Sequence, residues 1–192
     1  MRPPPPSGTG TEPAVPPSAY RSPGRRLLLP GELPVAVARA FAPAARRRRE
    51  AFALLYGIRG AAAGDADAVC ALVVPRQLGY QGRYLVPHAA MAAASAATIS
   101  HSWVTLGQVH SHPSRDVEHS WYDDRHAVSL RAISIVVPFY GRYPASWPGQ
   151  IGVHEHQDGW WHLLDARQVA ARITLAAAPL QIIDLQDGRT EP

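Results

Sequence analysis

Two histidines one residue apart, His110 and His112, are followed by Pro113 and then by Ser120 and Asp123. Imidazole and carboxylate are both zinc ligands. Catalytic zinc takes three protein ligands and keeps a fourth position for water, whereas structural zinc usually takes four protein ligands. The pair alone has a plainer reading, two polar residues at a strand edge in a chain with nine His. The spacing gives it more content. Val104 to His112 reads as a strand, whose side chains alternate with period two. Gln108, His110 and His112 then share one face, and Val109 and Ser111 the other. Pro113 has no amide hydrogen for a ladder and ends the strand. Ser120-Trp121-Tyr122-Asp123 has the Ser-x-x-Asp spacing of a helix start, which predicts Ser120 as N-cap of a helix over Tyr122 to Leu130. Capping alone explains Ser120 and Asp123 but not the histidines, and a capped helix start is also a rigid mount for a ligand.

Taken together, these residues resemble the JAMM motif (His-x-His, seven residues, Ser-x-x-Asp) of the JAB/MPN metallopeptidases. That family carries an upstream glutamate in a Glu-x-x-Gly-Leu-Leu-x-Gly segment. Here the segment reads Glu50-Ala51-Phe52-Ala53-Leu54-Leu55-Tyr56-Gly57, with Ala53 where glycine is usual. The resemblance spans roughly Leu27 to Leu164. It implies Zn2+ held by His110, His112 and Asp123, with Glu50 as general base and then acid, and Ser120 donating to the oxyanion. It also implies an α/β fold, a single mixed sheet flanked by helices, of the JAB/MPN or cytidine-deaminase-like type. Stand-alone domains of this kind are similar to bacterial proteases that release ubiquitin-like proteins or trim their tails. Such domains are encoded beside activating and conjugating-like enzymes, some in antiphage systems. The expected activity is therefore a zinc isopeptidase cutting after the C-terminal tail of a ubiquitin-like protein, by deconjugation or precursor processing. A peptidase for small peptides or a sulfur-carrier protein in cofactor or amino-acid metabolism would use the same residues. A non-catalytic MPN-type scaffold is the alternative of another class, and it would normally lack the motif.

The glutamate assignment has few rivals, because the chain holds only six: Glu12, Glu32, Glu50, Glu118, Glu155 and Glu191. Glu12 and Glu191 lie in tails. Glu32 stands between prolines at a helix start, where an acid complements the dipole. Glu118 is in the metal loop, and Glu155 sits between His154 and His156 on a late strand. Only Glu50 opens an apolar, strand-like run; its plainer reading is a surface charge ending an arginine run. His154-Glu155-His156 repeats the His-x-His spacing, yet Asp158 beside it is needed for a turn, so cross-strand polar pairing is the better reading. His126 falls on the same helix face as Asp123, as an outer partner or a buried residue.

Composition bounds the partners. The 192 residues are 46% hydrophobic, enough for a core in one domain. The single cysteine, Cys70, excludes an internal disulfide and fits a reducing cytoplasm, the expected location. Its apolar neighbours make it a structural thiol. No run is long and apolar enough for a membrane span. The start lacks the apolar stretch of a signal peptide. Net charge is +4, with all 19 basic residues arginine. Arg46-Arg47-Arg48-Arg49 is the one basic cluster; without interleaved aromatics it reads as a solvated loop or a docking patch for an acidic partner, and no nucleic acid is expected.

The elements that must position these groups read off in order. Residues 1–26 hold eight of the 19 prolines and predict a disordered or polyproline lead. A domain over 27–175 follows, then a C-terminal tail over 176–192. Within the domain, Leu27 to Leu29 is a strand and Pro34 to Ala42 a helix. Glu50 to Ile58 and Ala68 to Val74 are strands, and Tyr84 to Pro87 is extended. Ala-rich His88 to Ser100 is a helix, and Ile133 to Val137 a buried strand. Ile151 to His156 and Trp160 to Leu164 form a hairpin about Asp158-Gly159. A last helix over Ala166 to Leu175 closes the domain.

Overall fold

The computed structural model describes residues 19–21, 23–62, 64–120, 123, 132–143 and 146–186. Its strands are β1 (Leu27–Pro30), β2 (Phe52–Ile58), β3 (Asp67–Val74), β4 (Leu78–Gly79), β5 (Tyr84–Leu85), β6 (Val104–Ser111), β7 (Ile133–Val137), β8 (Gly152–Gln157), β9 (Trp160–Leu163), β10 (Ile173–Ala176) and β11 (Gln181–Asp184). Helices α1 (Leu33–Arg46), α2 (His88–Thr98) and α3 (Ala166–Arg172) are joined to them. One mixed sheet runs in the order β10-β1-β3-β2-β6-β7-β8-β9, with β11 also on β3, while β4 and β5 form a separate small hairpin. The fold is α/β, a mixed sheet flanked by helices.

Strand β2 lies between β3 and β6, antiparallel to both. Its near-continuous apolar run follows from that place, because both of its faces are covered. Ala53 and Leu55 face a core built with Leu33, Val37 and Phe41 of α1 and Val169 of α3. Phe52, Leu54 and Tyr56 face the opposite cluster, where Ala94 of α2 packs. In α1 the buried residues Leu33, Ala36, Val37, Phe41 and Ala45 recur at helical spacing. That stripe carries the helix past Ala42, where the sequence suggested an end, through Pro43 to Arg46. The β8–β9 hairpin turns as expected, with Asp158 and Gly159 both at positive φ (51° and 86°), the backbone that a two-residue type I′ turn requires.

Two ends of the chain depart from the sequence reading. The last helix stops at Arg172 instead of Leu175, because Ile173 turns extended and enters β10, parallel to β1. Part of the stretch read as a tail is sheet: Gln181–Asp184 pairs with β3 in parallel register, and Ile183 and Leu185 pack on the core. At the other end, Tyr20 packs against the core, and its hydroxyl bonds to Glu155 at 3.0 Å. The last residues of the lead thus belong to the folded unit, while the helix expected over Tyr122 to Leu130 lies, except for Asp123, outside the described residues, as does most of the lead. Asp123 itself is helical. No helix among the described residues is long and apolar enough to cross a membrane.

Candidate metal centre

His110 and His112 sit at the end of β6 and on the residue just past it, on the face shared with Gln108, as the alternation predicted. Phe52 of β2 lies opposite His110. Beyond that pair, Ser111 donates its amide to Ala51 O at 3.0 Å, and the Ala51 amide donates back to Ser111 Oγ at 3.0 Å. Continued two residues further, this register sets Glu50 against His112, and the two interact electrostatically. Both histidines are buried, His110 completely, and Asp123 is 2% exposed.

Four atoms of three side chains converge. His110 Nε2 and His112 Nε2 are 3.3 Å apart. Asp123 Oδ1 is 3.3 Å from the first and Oδ2 is 3.3 Å from the second. Among the described residues this is the cluster of three or more His, Cys, Asp or Glu that could hold a metal. Zinc ligands at about 2.0–2.1 Å in a tetrahedron lie about 3.3 Å from one another; each imidazole nitrogen stands at that distance from the other and from one carboxylate oxygen, so these three side chains are a set that could hold a zinc ion. Two of the three groups are held in the form a metal needs. Burial holds His110 below its ordinary pKa, against the pull of Asp123, which favours a neutral ring with a free lone pair. Burial also opposes ionisation of Asp123, but His110, His112 and Ser120 outweigh it and hold the carboxyl well below the usual range. His112 is pushed up: burial lowers it, and the bond and charge of Asp123, then Glu50 and a backbone bond at Asp116, overcome that.

Glu50 is 5% exposed. Burial pushes its pKa from the ordinary 4.5 to about 7, with His112 lowering it and Asp123 raising it. Its amide bonds to Tyr80 O at 2.8 Å, and a Cβ at Gly79 would come within 2.4 Å of its carbonyl oxygen. The β4–β5 hairpin can close over Glu50 only with glycine there. Tyr84 of that hairpin stacks on Phe52 at 4.9 Å and flanks His110 at 5.5 Å. Ala53, the departure from the family pattern, is buried in the core cluster on the sheet face away from Glu50, so its methyl group does not touch the site.

The hydroxyl of Ser120 does something the sequence did not suggest. The Ser120 amide and hydroxyl both donate to Asp123 Oδ2, at 2.8 and 2.7 Å. The amide bond is half of a capping box, with the carboxylate reaching back. A hydroxyl has one proton to give, and here Asp123 receives it. Donation to an oxyanion would need that hydroxyl to turn.

His119, one residue earlier, was missed; only its place before the Ser-x-x-Asp spacing could have flagged it. Its ring lies 5.5 Å from His110 and stacks on His154 at 3.8 Å. His154 is itself buried, pushed down to about 3 by burial and then by His119, and bonds Val117 O at 2.9 Å. Glu155, on the opposite sheet face, pairs with Arg172 at 3.2 Å. His154-Glu155-His156 therefore serves packing and pairing, and among the described residues it is not part of a metal cluster. The four arginines Arg46, Arg47, Arg48 and Arg49 are exposed at the C-terminus of α1, where cations complement the helix dipole. Cys70 is half-buried on β3, with its thiol pushed up by burial. Along the ligand-bearing loop, a groove of about 540 Å³ is lined by Arg115, Val117, Phe139 and Tyr143 among others. His126 lies outside the described residues.

No protein-family model matches the sequence, and no curated protein matches it. Among solved structures, the chain is similar to protein DSY2949 from Desulfitobacterium hafniense, with a TM-score of 0.58 and 18% identity over 80% of this chain and 94% of that one. AF2198, a JAB1/MPN domain protein from Archaeoglobus fulgidus, aligns with a TM-score of 0.44 and 17% identity over 79% and 98%. That second superposition is too loose to carry an argument. The likeness to DSY2949 is one of fold: an α/β mixed sheet with a buried His-His-Asp cluster at the end of β6 is what the structure itself adds.

Proposed function

We propose that the chain is a zinc-dependent amide hydrolase of the JAMM type. The observation that carries the reading is the convergence of the His110 and His112 Nε2 atoms and the Asp123 carboxylate, each nitrogen 3.3 Å from the other and from one carboxylate oxygen, beside the buried Glu50 carboxyl. Zinc in such a site lowers the pKa of bound water to about 7 and polarises a carbonyl oxygen. The protein's own groups do the rest. Glu50 takes a proton from the attacking water and returns it to the leaving nitrogen, and a pKa near the working pH suits both directions. Ser120 holds Asp123 in place, and the oxyanion role that the family resemblance implies requires its hydroxyl to rotate towards the substrate. The stacked Tyr84 and Phe52 rings wall the His110 side of the site.

For substrate we propose the tail of a ubiquitin-like protein, cut at the amide that follows it. The support is the family resemblance of the motif and the groove along the ligand-bearing loop. The test has two parts. Purified protein should carry about one zinc per chain, as three-ligand sites do, and His112→Ala should lose it. Wild type should cleave a ubiquitin-like fusion after its tail, while Glu50→Gln keeps zinc and loses turnover. Absence of zinc from the wild type would refute the metal assignment. Equal cleavage of unrelated short peptides would move the substrate to small peptides.

A further inference from the structure

We propose that His154 is a positioning residue for the metal set, clamping the loop that carries Asp123 through its bond to Val117 and its stack on His119. The proposal rests on the metal reading above. His154 stands on β8, with β7 between it and the histidine strand β6.

The ligand set has two halves, His110 and His112 on β6 and Asp123 after a loop. Ordering the backbone of such a loop costs conformational entropy. If that cost fell on metal binding, affinity would drop; a loop held beforehand removes it. The structure holds the loop from outside. Gln108, Ser134 and His154 are register partners across β6, β7 and β8 and form one row on the face of the triad. From that row His154 Nε2 donates to Val117 O at 2.9 Å; a carbonyl only accepts, so the nitrogen carries the proton. The same ring stacks under His119 at 3.8 Å and 19°. His119 Nε2 meets Ser134 Oγ at 3.0 Å, and that oxygen also accepts from Gln108 Nε2 at 3.2 Å. Trp161 closes the box edge-on at 4.9 Å. Gly152 lets β8 come this near, because a Cβ there would lie 2.2 Å from Val117 O. The loop is thus latched at Val117 and His119, immediately before Ser120, whose amide and hydroxyl grip Asp123.

A mere packing role for His154 makes a different prediction, lost stability with unchanged metal affinity. The experiment separates the two without any need for catalysis. Zinc affinity is measured by chelator competition for wild type, His154→Ala and His154→Phe, alongside amide exchange over residues 113–120 in metal-free protein. His154→Ala should weaken zinc binding by roughly 10- to 100-fold, the usual penalty for losing an outer partner of a metal site, and speed exchange over the loop. His154→Phe keeps a stacking ring without the donor and should show a smaller loss. Zinc affinity in His154→Ala within twofold of wild type overturns the proposal, even if the melting temperature falls. A wild type that takes up no zinc overturns the metal reading, and the clamp with it.

Discussion

Replacing Glu50 by glutamine should stabilise the metal-free protein, and only above a defined pH. In the native state burial lifts the Glu50 pKa from 4.5 to about 7. The folded chain therefore binds this proton more tightly than the unfolded chain. Native stability falls as pH climbs from about 4.5 to 7, and above 7 the full cost of the buried charge is present. Each pKa step is about 1.4 kcal/mol, so the move from 4.5 to about 7 amounts to about 3 kcal/mol. Glutamine fills the same space and cannot ionise. Glu50→Gln should therefore exceed wild type by about 3 kcal/mol at pH 8 and by less than about 1 kcal/mol at pH 5. For a domain of this size that corresponds to about 6–12 °C in melting temperature at pH 8. Thermal melts of chelator-treated wild type and variant at the two pH values measure it. A gap of equal size at both, or a variant less stable at pH 8, would refute the account of Glu50 as a carboxyl held in a desolvated site.

Turnover by the zinc-loaded wild type should rise with pH as Glu50 loses its proton, and a pH–rate profile with no acid limb, or one that Glu50→Gln leaves unchanged, would reassign the base. Ser120→Ala removes a 2.7 Å bond to Asp123, so zinc affinity should fall several-fold. A kcat loss beyond about 100-fold with zinc still bound would show the hydroxyl also serving the oxyanion. Phe139 and Tyr140 adopt φ of 54° and 60° without being glycine, and Phe139 is 47% exposed, so Phe139→Gly should stabilise by about 1 kcal/mol in melts. A lower melting temperature in that variant would mean that the Phe139 ring contributes more to packing than its backbone costs.

Much of the centre was legible because it is local. His110, His112 and Asp123 lie on one strand and the helix start after it, and strand alternation already put both rings on one face. Glu50 was reached through its motif, and its register against His112 came out of the β2–β6 pairing and the Ala51–Ser111 bond just beyond it, which spans 60 residues and which no short-range pattern encodes. Harder to read were β10 and β11. Ile173-Thr174-Leu175 and Ile182-Ile183 are short β-branched runs whose partners, β1 and β3, are distant in sequence, and a four-residue strand has no periodicity to separate it from a helix end or a tail. His119 escaped for another reason. Its role comes from rings and a hydroxyl on β6, β7 and β8 at once, and such an arrangement has no spacing along the chain.

The carboxylate of Glu155 moves the edge of the folding unit. It is wholly buried and accepts from Tyr20 Oη, the Gly24 amide and Arg172 Nε, while Arg172 Nη1 also donates to Arg25 O. Proline content would place the start of the domain at Leu27, but that cut runs through the solvation shell of an interior ion. A chain begun at Leu27 keeps every strand and loses the Tyr20 and Gly24 donors to the Glu155 carboxylate, at about 1.5–3 kcal/mol for each bond to a charged group. A chain begun at Ala19 keeps both. The minimal stable unit is therefore set by where an ion finds its last donors, upstream of the first strand.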